Sequence, residues 1–82
     1  MNSVNVKFFG PLRDITQQDQ LTIGIPESAT GEELFERLAS QYPDLRKWKE
    51  SVRLAVNLEY VKFSSELKSG DEISFIPPVS GG

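Results

Sequence analysis

The residues of this chain best suited to chemistry stand at its C-terminal end, Pro77-Pro78-Val79-Ser80-Gly81-Gly82. Ser80, Gly81 and Gly82 carry little or no side chain, so they can thread a channel that excludes bulkier residues, and the Gly82 carboxylate is sterically open. Pro77 and Pro78 fix their own φ angles and donate no N–H, which favours an extended exit from whatever precedes them. Residues 77–82 therefore read as a flexible tail that inserts into a partner and presents Gly82 for reaction. A carboxylate is a poor electrophile, because its charge repels nucleophiles and its oxygen is a poor leaving group. It has to be activated, and formation of an acyl-adenylate from ATP is a means of doing so.

Nothing else in the chain can perform that activation. There is no glycine-rich phosphate-binding run of the Walker kind, so another protein must hold the nucleotide. The chain has neither His nor Cys, which removes the usual zinc ligands, the commonest general base and the cysteine nucleophile. Any sulfur has to be acquired, and a disulfide framework is excluded. A net charge of −3 opposes binding to phosphate backbones and suits a basic protein partner. The N-terminal residues lack a basic stretch followed by an apolar run, and no segment approaches bilayer length, so the expectation is a cytoplasmic protein without membrane contact. Glu32, Glu33 and Glu36 fit the positive end of a helix dipole better than a metal site. Arg46, Lys47 and Lys49, flanked by Asp44 and Glu50, read as solvated surface and not as a nucleic-acid interface.

The elements that must position the tail follow from periodicity. Eighty-two residues, 38% hydrophobic and 26% charged, suffice for one small globular domain with a real core. Residues 3–9 alternate, with Val4, Val6 and Phe8 on one side, and predict a strand stopped by Gly10-Pro11. Leu21, Ile23 and Ile25 predict a second strand ended by Pro26, with residues 14–20 as the hairpin loop between them. Thr30-Gly31-Glu32-Glu33 has the form of a capping box, and Leu34, Phe35, Leu38, Ala39 and Tyr42 recur at helical spacing until Pro43. A short helical turn over residues 43–50 would bring Leu45 and Trp48 to the core. Residues 52–56 and 60–63 read as strands around an Asn57-Leu58-Glu59 turn, and Gly70-Asp71 introduces a last strand over residues 72–76. The order predicts an α+β domain over residues 1–76, with a mixed sheet of about five strands, one main helix across one face, and the first and last strands parallel neighbours.

These residues carry a family resemblance over nearly the whole chain. Val6-Lys7-Phe8-Phe9 with Leu12-Arg13, Leu54-Ala55-Val56-Asn57, Leu67, Gly70-Asp71-Glu72-Ile73 and the block from Phe75 to Gly82 resemble the small, sulfur-carrying subunits of molybdopterin synthase, which have the ubiquitin-like β-grasp fold. Ser80 stands where members of that family often carry Thr, another small hydroxyl residue. The resemblance implies that Gly82 is adenylated by an enzyme similar to ubiquitin-activating enzymes and becomes a thiocarboxylate with sulfur from a donor protein. AMP and sulfur would be its only, transient, attachments. It further implies insertion of the tail into a large synthase subunit, in a heterotetramer of two small and two large subunits. There the sulfur would pass to a cyclic pterin phosphate and build the dithiolene that holds molybdenum, with the catalytic groups chiefly in the partner.

Strand parity suggests how the partner is met. If Val4, Val6 and Phe8 face the helix, Phe9 faces away, and if Ile73 and Phe75 face it, Ile76 faces away as well. Phe9 and Ile76, joined by Tyr60, would form an exposed apolar patch near the exit of the tail, with Arg13 as a rim contact. The alternative is that Phe9 and Ile76 only close the edge of the core and Arg13 is simply solvated. Related carriers use apolar residues at matching positions to meet their partners, which favours docking. Two other fates of Gly82 stay open at this point: transfer to a lysine amine, as in a protein modifier, or sulfur carriage for another pathway such as thiamine synthesis. A third possibility is an interaction module whose tail has no chemistry.

Overall fold

Val4, Val6 and Phe8 are buried along the first strand while Ser3, Asn5 and Lys7 between them are not, so the expected alternation has a core on one side only. The structure is a computed structural model that describes residues 2–78. Its elements are β1 (Asn2–Phe8), α1 (Pro11–Thr16), β2 (Gln20–Ile25), α2 (Gly31–Gln41), a 3₁₀ helix (Pro43–Trp48), β3 (Arg53–Val56), β4 (Glu59–Val61) and β5 (Glu72–Ile76). The strands form one sheet in the order β2-β1-β5-β3-β4. β1 and β5 run parallel at its centre, with Val6 opposite Ile73 and Phe8 opposite Phe75, and the other pairs are antiparallel.

Helix α2 starts where the capping box places it. The Thr30 hydroxyl accepts from the Glu33 N–H at 3.2 Å, and the Glu33 carboxylate accepts from the Thr30 N–H at 2.9 Å. It ends at Tyr42, which precedes Pro43 and has left helical geometry with φ −126° and ψ 81°. Leu34, Phe35, Leu38 and Ala39 bury the apolar stripe against Val4, Val6, Leu54, Ile73 and Phe75. The Phe35 and Phe75 rings meet edge to face, 5.1 Å between centroids, and Phe63 stacks beside Phe75. Leu45 is buried and Trp48 packs against the core, as the short helical turn required.

Residues 14–20 are not a hairpin loop. Pro11, pre-set for a first helical position, opens the six-residue α1. Leu12 and Thr16, one turn apart, are both buried, and the Thr16 hydroxyl donates to the Leu12 carbonyl at 3.1 Å. The chain turns at Gln17 with φ 60°, leaving only a short connection into β2. The strand boundaries also differ from the sequence expectation. β1 ends at Phe8 because Gly10 turns the chain with φ 54°. β4 is Glu59–Val61, and Phe63 lies beyond it, within the aromatic cluster. Asn57 and Leu58 form the β3–β4 turn with both φ values positive, 51° and 74°. The Asn57 side chain donates to Asp71 and accepts from the Glu72 N–H, each at 3.0 Å, which ties this turn to the start of β5.

The basic run at residues 46–49 is not simply solvated. Arg46 pairs with Glu36 at 2.8 Å, and Lys49 bridges Glu32 at 2.7 Å and Glu36 at 3.2 Å, clasping the end of the 3₁₀ helix to α2. Hydrogen bonds from Arg46 and Lys49 hold the Glu36 carboxyl below its ordinary range, and those to Glu32 and Glu36 raise the Lys49 ammonium. A depressed carboxyl stabilises the fold above its unfolded value of 4.5 and loses that contribution as pH falls through its folded value. The raised ammonium stabilises below 10.5 and loses its contribution as pH rises through its folded value. Glu36→Gln is therefore expected to flatten the decline of the melting temperature on acidification below pH 4.5, which thermal scans across acid pH will show.

Gly31 is buried where the start of α2 crosses the sheet. A Cβ there would collide with Leu54 Cδ2, and the Phe63 carbonyl oxygen would stand 3.3 Å away. Leu54 is itself fully buried and has little room to retreat. Gly31→Ala is expected to cost about 1–3 kcal/mol by overpacking, read as a lower midpoint in urea denaturation at unchanged slope.

Candidate functional site

Among the described residues, the face of the sheet opposite α2 carries no helix. Its composition follows from the registers: with Val6, Phe8, Leu54 and Phe75 turned inward, Lys7, Ser74 and Ala55 turn outward in one row and meet Tyr60 across the β3–β4 pair. Ser74 and Ala55 are 8% and 6% exposed, because small side chains lie low between taller neighbours. They form a floor. Lys7 and Glu72 pair across it at 2.8 Å. Beyond the floor Ile76 stands opposite Arg53.

The structure places Tyr60 and Ile76 together. With Ser51, Arg53, Pro77 and Pro78 they line one hollow, and the Arg53 guanidinium stands 5.8 Å from the centre of the Tyr60 ring. Phe9 lines a second hollow with Lys7, Gly10, Arg13 and Gln20. The hollows adjoin at the root of the tail, since a Cβ on Gly10 would stand 3.5 Å from Pro77 Cγ. Phe9 is 45% and Tyr60 65% exposed, so both are large apolar surfaces left to water, while Ile76 is half-buried. Arg13 is held by Asp19 at 2.6 Å. Val79, Ser80, Gly81 and Gly82, on which the chemistry of the tail was placed, lie outside the described residues. Pro77 and Pro78 are described: the former is half-buried and the latter exposed, directly after the last residue of β5.

The sequence reading of the docking face did not include Arg53. The signal was present in Arg53-Leu54-Ala55-Val56: once Leu54 is buried, period-two alternation sends Arg53 and Ala55 to the open face. Among the described residues no three His, Cys, Asp or Glu side chains group as metal ligands, and no helix is long and apolar enough to cross a membrane.

Comparison with known proteins places this geometry. The ThiS family matches residues 6–82. The molybdopterin synthase sulfur carrier subunit of Dictyostelium discoideum is 34% identical over 84 residues, which cover 99% of this chain and 98% of that one. Among solved structures, the complex of subunits 1 and 2 of the molybdopterin-converting factor from Helicobacter pylori contains a chain 31% identical, with TM-score 0.69, covering 98% of this chain and 99% of that one. The small archaeal modifier protein 1 from Methanosarcina acetivorans is 27% identical with TM-score 0.81, covering all of this chain and 98% of its own. The mixed five-stranded sheet with α2 across it is thus a ubiquitin-like β-grasp, and the chain belongs to the ThiS family, with molybdopterin synthase sulfur carrier subunits among its relatives.

Proposed function

We propose that this protein is the sulfur carrier subunit of a molybdopterin synthase, with Gly82 as the point of covalent attachment. The observation that supports this most is that the family match runs through Gly82, together with a sulfur carrier relative aligned over nearly the full chain. In this reading residues 1–76 are the β-grasp domain and residues 77–82 the tail. The Gly82 carboxylate displaces pyrophosphate from ATP inside an activating enzyme, and sulfide-level sulfur from a donor protein then displaces AMP from the acyl-adenylate to leave a thiocarboxylate. The thiocarboxylate then enters the large synthase subunit and gives its sulfur to the cyclic pterin precursor. A subunit 1–subunit 2 complex among the similar structures supports a large-subunit partner. No cofactor stays bound between these steps.

The carrier's own contribution is delivery. Pro77 and Pro78 direct the chain away from β5, and Phe9, Tyr60 and Ile76 form the docking face around its root, with Arg13 and Arg53 at the rim. A terminus free of side chains lets the partner close around the acyl carbon. A protein modifier is the second reading, supported by the likeness to an archaeal modifier protein. Reconstitution separates the two. The thiocarboxylated chain, mixed with a molybdopterin synthase large subunit and the cyclic pterin phosphate, is expected to yield the dithiolene and return a Gly82 carboxylate. Recovery of lysine-linked adducts with no dithiolene would favour the modifier.

A further inference from the structure

Among the described residues one edge of the sheet is unguarded: it starts at Gln20, beside the Phe9 hollow, and runs away from it to Ile25. β2 ends the strand order and, among the described residues, pairs only with β1. The Phe8 N–H donates to the Asp19 carbonyl at 2.9 Å, just beyond the Lys7–Gln20 register pair. In an antiparallel ladder that bond sets the parity: Leu21 and Ile23 turn their backbone groups to β1, while Gln20, Thr22 and Gly24 turn theirs outward. The strand Gln20–Ile25 contains no charge and no proline, two devices that commonly keep an edge from pairing.

The side chains of this edge form a groove with α2. Leu21 and Ile23 point to the helix layer and are only half-buried there. They share a groove with Arg37 and Gln41 of α2, and Arg37 also lines its continuation past Gly24 to Pro26. Arg37 is exposed and makes no ion pair among the described residues.

We propose that this groove takes an extended segment of a partner protein as a sixth strand on β2, with apolar side chains over Leu21 and Ile23 and a carboxylate at Arg37. Strand addition satisfies the outward backbone groups of Gln20, Thr22 and Gly24, and alternate side chains of the new strand then fall in the helix layer. Charge selects the occupant. Pairing β2 with β2 of a second copy would bring the two α2 helices alongside each other, with Arg37 against Arg37. An acidic segment instead supplies the missing counter-ion. The groove lies in the helix layer and the candidate carrier site on the other face of the sheet, so occupation of one leaves the other open. The inference is therefore independent of what Gly82 carries.

The test is an NMR titration of the isotope-labelled full chain with the peptide acetyl-Ser-Val-Thr-Val-Thr-Glu-Ser-amide. Saturable shifts are expected at the amides of Thr22 and Gly24 and at the Arg37 guanidinium. A peptide with Gln in place of Glu should bind about three-fold more weakly, the scale of one exposed ion pair. Arg37→Glu should invert the preference, favouring a peptide with Lys at that position over the Glu peptide. Thr22→Pro removes an outward N–H without touching the β1 ladder and should abolish the shifts; if that variant fails to fold, the Arg37→Glu inversion decides. Absence of shifts at millimolar peptide, shifts on the Phe9, Tyr60 and Ile76 face instead, or equal binding of Glu and Gln peptides would overturn the proposal. So would concentration-dependent pairing of the β2 edge without peptide, which would assign it to a second copy.

Discussion

Deleting Gly82 is expected to stop sulfur transfer while leaving the fold as stable as before. One residue of extended chain spans about 3.3–3.6 Å, so the shortened tail would withdraw the acyl carbon from both active sites of the proposed route by several times the misplacement, about 1 Å, that already costs roughly 100-fold in rate. The expected loss is thus at least about 100-fold in adenylation and in dithiolene formation. Among the described residues the buried core runs from Val4 to Phe75, upstream of the tail. The melting temperature should therefore not move. Steady-state assays of both half-reactions, with a thermal scan of the same preparation, check the two limbs together; retained turnover would remove Gly82 from the mechanism.

The second large effect is expected at the docking face. Ile76→Asp puts a carboxylate into the hollow between Tyr60 and Pro77, opposite Arg53, so the free protein has a cation at hand to receive it. Under a partner the same carboxylate would be stripped of water with its rim excluded from solvent. Loss of a central apolar anchor costs about 2 kcal/mol or more, which is roughly 30-fold in Kd. Phe9→Asp should act in the same direction from the adjoining hollow. Titration calorimetry against a large synthase subunit measures both, and an unchanged Kd for the pair of variants would leave the patch as a mere edge of the core.

Much of this fold was legible because its signals are local and redundant. The capping box at Thr30 and Glu33, the stripe from Leu34 to Ala39 and the alternation of Val4, Val6 and Phe8 each specify an element without help from the rest of the chain. The parallel β1–β5 pairing was an expectation of layout, and the registers bear it out. Helix α1 escaped because six residues cannot display a helical period, and polar Arg13, Asp14 and Thr16 hid the anchor at Leu12. The clasp of Arg46 and Lys49 on α2 escaped for another reason: its partners Glu32 and Glu36 lie ten or more residues away, a separation that no local pattern encodes.

The candidate site divides along the same line. Parity alone sends Phe9 and Ile76 outward, with Tyr60 joining them from a neighbouring strand, and the structure leaves Phe9 and Tyr60 exposed and Ile76 half-buried. Parity turns Arg53 to the same face, but its placement over the Tyr60 ring is a contact between strands that no local pattern encodes. The proposed point of attachment was read from residue types, since a carboxylate on two glycines has a chemistry independent of the fold that bears it.

The most direct test of the central claim is the intact mass of the chain after incubation with ATP, an activating enzyme and a sulfur donor. The expected result is the exchange of one oxygen atom for sulfur, located at Gly82 by fragmentation and absent when ATP is withheld. An unchanged terminus under the same conditions, with a known sulfur carrier converted in parallel, would contradict it.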